Sequence, residues 1–163
     1  MPTASSGTAV VTLPSDTEIK ITREFDAPRH LVYKAFTTPE YVKRWYAGRR
    51  GEVTQAEIDL RVGGRWRYVM THGGAEVAFH GEYREIVPNE RLVSTEVYEA
   101  PEAGEENATL NIATFAESDG RTTLTVLVQC PSKETRDAII ASGMEGGMQE
   151  SMDLLEQVAI SLS

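Results

Sequence analysis

The chain has 163 residues, of which 40% are apolar and 25% charged, the balance of one globular domain long enough to bury a core without staples. Lys plus Arg number 16 and Asp plus Glu 25, a net charge of −9 with histidine neutral, which repels phosphate backbones and anionic lipid and argues against nucleic acid as a partner. A single cysteine, Cys130, excludes an internal disulfide and a thiolate zinc site. That usage, the lack of a basic-then-apolar leader and the lack of an apolar run of roughly 18 residues point to a cytoplasmic protein without membrane insertion.

Residues 1–16 are rich in Ser, Thr, Pro and Gly without periodicity and read as a flexible N-terminal arm; residues 17–163 read as one domain. Ile19, Ile21 and Arg23 alternate with Lys20, Thr22 and Glu24 and lead into Phe25, a first strand. Asp26 suits a helix N-cap and Pro28 a first helical turn. Leu31, Val32, Ala35 and Phe36 then recur at helical spacing. Thr38-Pro39 ends that helix and opens another, with Tyr41, Val42, Trp45 and Tyr46 on its apolar side. The basic residues Lys43, Arg44, Arg49 and Arg50 read as a solvated loop.

Strands follow. The stretch TQAEIDL is one; Gly63-Gly64 turns into RWRYVMTH, where Trp66, Tyr68 and Met70 share a face. Gly73-Gly74 is a hairpin turn. EVAFHGEYREIV is a long strand in which Gly81 suggests a bend. Pro88-Asn89-Glu90 turns into RLVSTEVYE, the acidic stretch APEAGEEN reads as a solvated connection, and ATLNIATFAE, SDGR and TTLTVLVQC form a last hairpin. Ser132 N-caps a helix that runs almost to Ser163, with Ile140, Met144, Met148, Met152, Leu155 and Ala159 along one face. Gly143, Gly146 and Gly147 interrupt it, each costing about 1 kcal/mol relative to alanine, so a kink or close approach to the sheet is expected. The order predicts an α+β fold: an antiparallel sheet of six to seven strands, two short helices, and a long C-terminal helix covering one sheet face.

The strings ITREFDAPRHLVYKAFTTPEYVKRWY, IDLRVGGRWRYVM, GEYREIVPNERLVSTE, DGRTTLTV and ASGMEGGMQESMDLLEQ, in this order over residues 18–160, resemble the START-like (SRPBCC, birch-pollen-allergen-like) superfamily. Within it they resemble the branch named for the heat-shock-chaperone ATPase activator homologue (AHSA-type). The resemblance implies a helix-grip fold, a curved sheet wrapped on the last helix, and a cavity between them that takes hydrophobic small molecules. Relatives include lipid carriers, polyketide aromatase/cyclases, a branch that protects enediyne producers, and a eukaryotic chaperone activator of two domains. Trp45-Tyr46 stands where two consecutive tryptophans are common in the family.

The candidate ligand-binding residues are Trp45, Tyr46, Trp66, Tyr68, Met70, His80, Met144, Met148 and Met152. The rings of Trp66 and Tyr68 either pack the core or line a pocket, with the Tyr68 hydroxyl available to a ligand. The methionine stripe is either core or an adaptable pocket wall. Trp45 and Tyr46 either staple the second helix or cap the cavity mouth. His30, His72 and His80 lack the spacing of a metal site, though His72 and His80 could meet across the Gly73-Gly74 hairpin; His80 is kept as an acid or base near the pocket. Glu82, Arg84 and Glu85 read as surface cross-strand pairs. There is no nucleophile elbow, Walker loop or dinucleotide fingerprint, so no catalytic residue, metal or cofactor is assigned. Three functions remain open: a small-molecule binding module, an enzyme of the aromatase/cyclase kind, and a protein-partner or self-resistance factor. A titratable side chain inside the pocket would favour the second. An exposed sheet edge would permit a homodimer.

Overall fold

The structure is a computed structural model that describes residues 9–49, 51–99 and 107–163. In chain order its elements are β1 (Val10–Thr12), β2 (Glu18–Phe25), α1 (Arg29–Thr37), α2 (Pro39–Trp45), β3 (Gly51–Ile58), β4 (Arg65–His72), β5 (Ala75–Val87), β6 (Arg91–Tyr98), β7 (Thr109–Ser118), β8 (Arg121–Gln129), α3 (Lys133–Ala141) and α4 (Met144–Ser161). The strands make one open antiparallel sheet in the order β1-β2-β8-β7-β6-β5-β4-β3, so β2 adds to the end of the β3–β8 meander and β1 and β3 form the two edges. The alternating residues read from the sequence set the register: Ile19, Ile21, Arg23 and Phe25 of β2 oppose Val128, Val126, Leu124 and Thr122 of β8.

Turn chemistry fixes the hairpins. Asp119 (φ 54°) and Gly120 (φ 76°) take the left-handed conformations that a tight β7–β8 turn requires, and Gly73 and Gly74 do the same between β4 and β5. Bulges between Val53 and Gln55 and between Tyr83 and Glu85 shift the register near one end of the sheet, and such insertions bend a strand. The core lies between the inner sheet face and the helices α1, α2 and α4. Phe25, Val32, Ala35, Val42, Leu124, Leu155 and Ala159 are buried there.

The expected C-terminal helix is present but divided. Ser132 caps α3 as read from the sequence, accepting from the Thr135 amide at 3.1 Å. Gly143 then adopts φ 82°, which ends α3 and starts α4 on a new axis. The expected kink therefore sits at the first of the three glycines; a Cβ on Gly147 would meet no atom within 4 Å, so that position is not a close approach. Asp26 is not a cap: Pro28 precedes α1 without a side-chain bond. The Asp26 amide instead donates to Glu156 Oε2 at 2.7 Å. The described residues form eight strands, against the six to seven expected, the additional one being Val10–Thr12, which pairs along Lys20–Thr22 in the stretch expected as an arm. Residues 1–8 and most of the acidic connection, 100–106, lie outside the described residues.

A buried ion cluster clamps α4 to the sheet. Arg23 sits in the apolar register of β2, over the Phe25 ring at 4.7 Å. It donates to Asp153 Oδ1 at 2.7 Å and reaches Glu156 Oε1 at 3.4 Å. Glu156 and the Arg23 side chain are fully buried. A buried charge persists only when paired and hydrogen-bonded, so this cluster fixes how α4 lies across β2.

Candidate functional site

Strand alternation and register bring a set of aromatic and polar side chains to one part of the inner face. Trp66 and Tyr68 of β4 oppose Gly81 and Phe79 of β5. Tyr83 opposes Ser94 of β6, and Ser94 and Glu96 oppose Asn111 and Thr109 of β7. Gly81 is required here. A Cβ at that position would lie 1.8 Å from the Thr95 carbonyl oxygen and 2.5 Å from Trp66 Nε1, so only glycine lets the indole lie across the strand.

From the helix side, α2 delivers Trp45 and, at its C-terminal end, Tyr46. Trp45 is buried, stacks on Phe36 at 5.5 Å and donates its indole N–H to the Ala35 carbonyl at 2.9 Å. It staples α2 to α1. Tyr46 turns inward. Its ring meets Tyr68 edge-on at 4.7 Å and Phe79 at 6.1 Å, and its carbonyl accepts from Ser151 of α4 at 2.9 Å. Tyr68 in turn lies 4.7 Å from Trp66, and Phe79 lies 5.3 Å from the more exposed Tyr98.

Among these rings sits a carboxyl. Glu96 Oε1 accepts from Asn111 Nδ2 at 2.7 Å, Asn111 Oδ1 accepts from Thr109 Oγ1 at 3.0 Å, and the Tyr46 hydroxyl is 3.5 Å from Glu96 Oε2. Burial raises the Glu96 pKa, and the bonds from Asn111 and Tyr46 offset this only in part. Burial, with the Glu96 charge next, holds the Tyr46 phenol well above its ordinary value; burial also raises Tyr68, Tyr83 and Tyr33. All four phenols are therefore neutral hydrogen-bonding groups at physiological pH. Glu96 lies deep among protein atoms yet keeps surface that a water-sized sphere can reach. Two further polar atoms of the same core cluster, Trp66 Nε1 and the Tyr33 hydroxyl, are buried without a hydrogen-bond partner. Each such group costs about 1–3 kcal/mol.

Of the residues singled out from the sequence, Trp45, Tyr46, Trp66, Tyr68, Met144, Met148 and Met152 belong to this core cluster or pack on it. Met152 is buried, and Met144 and Met148 are half-buried along α4. Met70 does not join them. It pairs with Val53 and Val77 towards the end of β4, half-buried and outside the cluster. His80 is also displaced: Phe79, Gly81 and Tyr83 take the inner register, so His80 faces outward opposite Arg67 and Val97. There Glu99 accepts from Arg67 Nε and Nη2, both at 2.9 Å, and its Oε2 lies 2.8 Å from His80 Nδ1. The Arg67 guanidinium is the main cause that holds the Glu99 carboxyl at about 2. His72 and His80 do not meet, since their partners are Ala75 and Arg67. Glu82 with Arg84 and Glu85 with Arg91 form exposed pairs. Arg49 donates its amide to Glu150, while Arg50 lies outside the described residues. Among the described residues no group of three His, Cys, Asp or Glu could hold a metal ion, and no helix is long and apolar enough to cross a membrane. An open depression of about 410 Å³ at the β3–β4 turn, between Glu57, Asp59, Arg61 and Arg65, is a solvated groove apart from the aromatic cluster.

Glu96 and Asn111 were missed by sequence reasoning. The signal was present: both are polar residues in the register of apolar ones, Glu96 with Leu92 and Asn111 with Ala113 and Phe115.

The family model described as Activator of Hsp90 ATPase homolog 1-like protein matches residues 26–159. No curated protein matches the chain. Among solved structures it is similar to a protein from Rhodobacter sphaeroides, at 25% identity and a TM-score of 0.85, over 94% of this chain and 99% of that one. It is also similar to a protein from Arthrobacter aurescens (22% identity, TM-score 0.82, 93% of this chain and 91% of that one). A third, from Mycobacterium smegmatis, shares 23% identity at a TM-score of 0.81, over 96% of this chain and 98% of that one. Sheet order, the C-terminal helix and the family match agree, and the chain belongs to the Activator of Hsp90 ATPase homolog 1-like family, with the SRPBCC helix-grip fold.

Proposed function

We propose that the domain binds an apolar or aromatic small molecule between the inner sheet face and α4, against Tyr46, Trp66, Tyr68, Met148 and Met152. The carrying observation is the pair of buried donors without a hydrogen-bond partner among the described residues, Trp66 Nε1 and the Tyr33 hydroxyl, both in the aromatic part of the core cluster. A core evolved only for stability has no reason to keep such groups, whereas a ligand oxygen or nitrogen would satisfy them. Glu96 supports the same reading, since a deep carboxyl with residual accessible surface fits the wall of a small hollow. Thermal-shift screening with aromatic and polycyclic probes tests it. A probe at 100 times its Kd stabilises by about 2.7 kcal/mol, or roughly 5–10 °C for a domain of this size. If no probe raises the Tm, the reading fails.

Glu96 also favours a second reading, catalysis in the same interior. A carboxyl whose pKa is raised by burial is better suited than an ordinary one to give and take a proton. Under that reading Glu96→Gln abolishes turnover of a substrate while leaving its binding intact; equal loss of both removes the catalytic role.

A further inference from the structure

We infer that the ligand carries an organic ammonium group, seated on the Glu96 carboxylate within the wall of rings formed by Tyr46, Tyr68, Phe79 and Tyr98. The inference rests on reading the sheet–helix interior as a ligand site and adds the chemical class of what enters it. The first argument is the bonding of the carboxyl. A carboxylate offers about four acceptor positions. Among the described residues the bonds to Glu96 are one short contact from Asn111 at 2.7 Å and one contact from Tyr46 at 3.5 Å, the outer limit of a hydrogen bond. Oε2 thus has capacity left over.

The second argument is charge. No Lys, Arg or His among the described residues pairs with Glu96; the groups acting on it are Asn111 and Tyr46, both neutral. The fully buried acid Glu156 is treated differently, since it has Arg23, whereas Glu96 is half-buried. A carboxylate in a desolvated site without a cation is disfavoured, and it is relieved either by taking up a proton or by a cation supplied from outside; an ammonium ligand supplies both the charge and the donors. The third argument is the wall. Tyr46, Tyr68, Phe79 and Tyr98 form a chain of contacts with centroids 4.7–6.1 Å apart, and an ammonium is attracted to such faces, most strongly when desolvated. The net charge of −9 also draws cations towards the molecule.

The test uses three probes of one shape, 1-naphthylmethylammonium, 1-naphthylmethanol and 1-naphthoate, titrated calorimetrically into the full chain at pH 7.5. The ammonium is expected to bind at least about tenfold tighter than the alcohol, and the carboxylate more weakly than either. In Glu96→Gln the ammonium is expected to fall to within about twofold of the alcohol measured in the same variant. Equal binding of alcohol and ammonium to the unaltered chain, or a preference that survives Glu96→Gln, overturns the inference while the pocket stands. Failure of all three probes to bind overturns the pocket and the inference together. The ranking in the unaltered chain needs no variant, so the question is decided even if Glu96→Gln does not fold.

Discussion

Replacing Glu156 with leucine examines the clamp that places α4 over the sheet. Glu156 and the Arg23 side chain are both 0% exposed, and removing one partner of such a pair costs about 3–5 kcal/mol because the other charge stays buried. Asp153 remains 2.7 Å from Arg23 and limits that loss. The Asp26 amide, 2.7 Å from Glu156 Oε2, loses its acceptor, which adds about 1–3 kcal/mol. A net loss of about 4 kcal/mol is expected. With a urea slope of about 2 kcal/mol per molar, the midpoint falls by about 2 M at unchanged slope. The double variant Arg23→Met with Glu156→Leu removes both buried charges, and Asp153, partly exposed, is left to solvent. It is expected to recover all but about 1–2 kcal/mol. Urea unfolding followed by far-UV circular dichroism reads both, and rescue by the double variant gives an answer even if the single one unfolds. A single variant within about 0.5 kcal/mol of the parent, or a double variant as weak as the single, would refute the clamp.

Three further outcomes are expected. Gly81→Ala places a Cβ 1.8 Å from the Thr95 oxygen and should destabilise by about 3 kcal/mol, with a shift in Trp66 fluorescence; an unaltered melting curve would show that the strand yields. Burial raises the folded-state pKa of Glu96, so ionising it disfavours the fold: Glu96→Gln should melt higher than the parent at pH 8, and the gain should vanish as the pH falls below the unfolded carboxyl value. A constant gain at every pH would contradict this. Glu99 has the opposite sign. Its carboxyl titrates at about 2 when folded against 4.5 otherwise, so its contribution is complete above about pH 5 and drains away towards pH 2. Glu99→Gln should flatten that part of the Tm–pH profile, and an identical profile would remove Glu99 from the acid response.

The fold was legible because its main determinants are local. Alternation along β2, the glycine pairs of the hairpins and the Ser132 cap each act within a few residues, and each is seen in the structure. What was illegible depends on neighbours distant in sequence. In EVAFHGEYREIV both faces carry apolar and polar residues, so alternation alone does not say which turns inward. The pairing of Phe79 with Tyr68 decides it, and this sends His80 outward. The break of the last helix was foreseen in kind but not in place, because any of three glycines could take the left-handed conformation that Gly143 adopts. Arg23 stood in the apolar register from the start, yet its partners lie 130 and 133 residues away. Glu96 and Asn111 likewise gain meaning only when β6 and β7 lie side by side.

The central claim is that a ligand enters between α4 and the aromatic wall that holds Glu96. Methyl-labelled methionine NMR is its most direct test, since the chain has five methionines and three of them, Met144, Met148 and Met152, belong to or pack on the core cluster from α4, the last two against the proposed site. Titration with 1-naphthylmethylammonium is expected to move the Met148 and Met152 methyl signals saturably. Saturable binding that leaves both signals where they were, or no change in any methyl signal at millimolar probe, would contradict it.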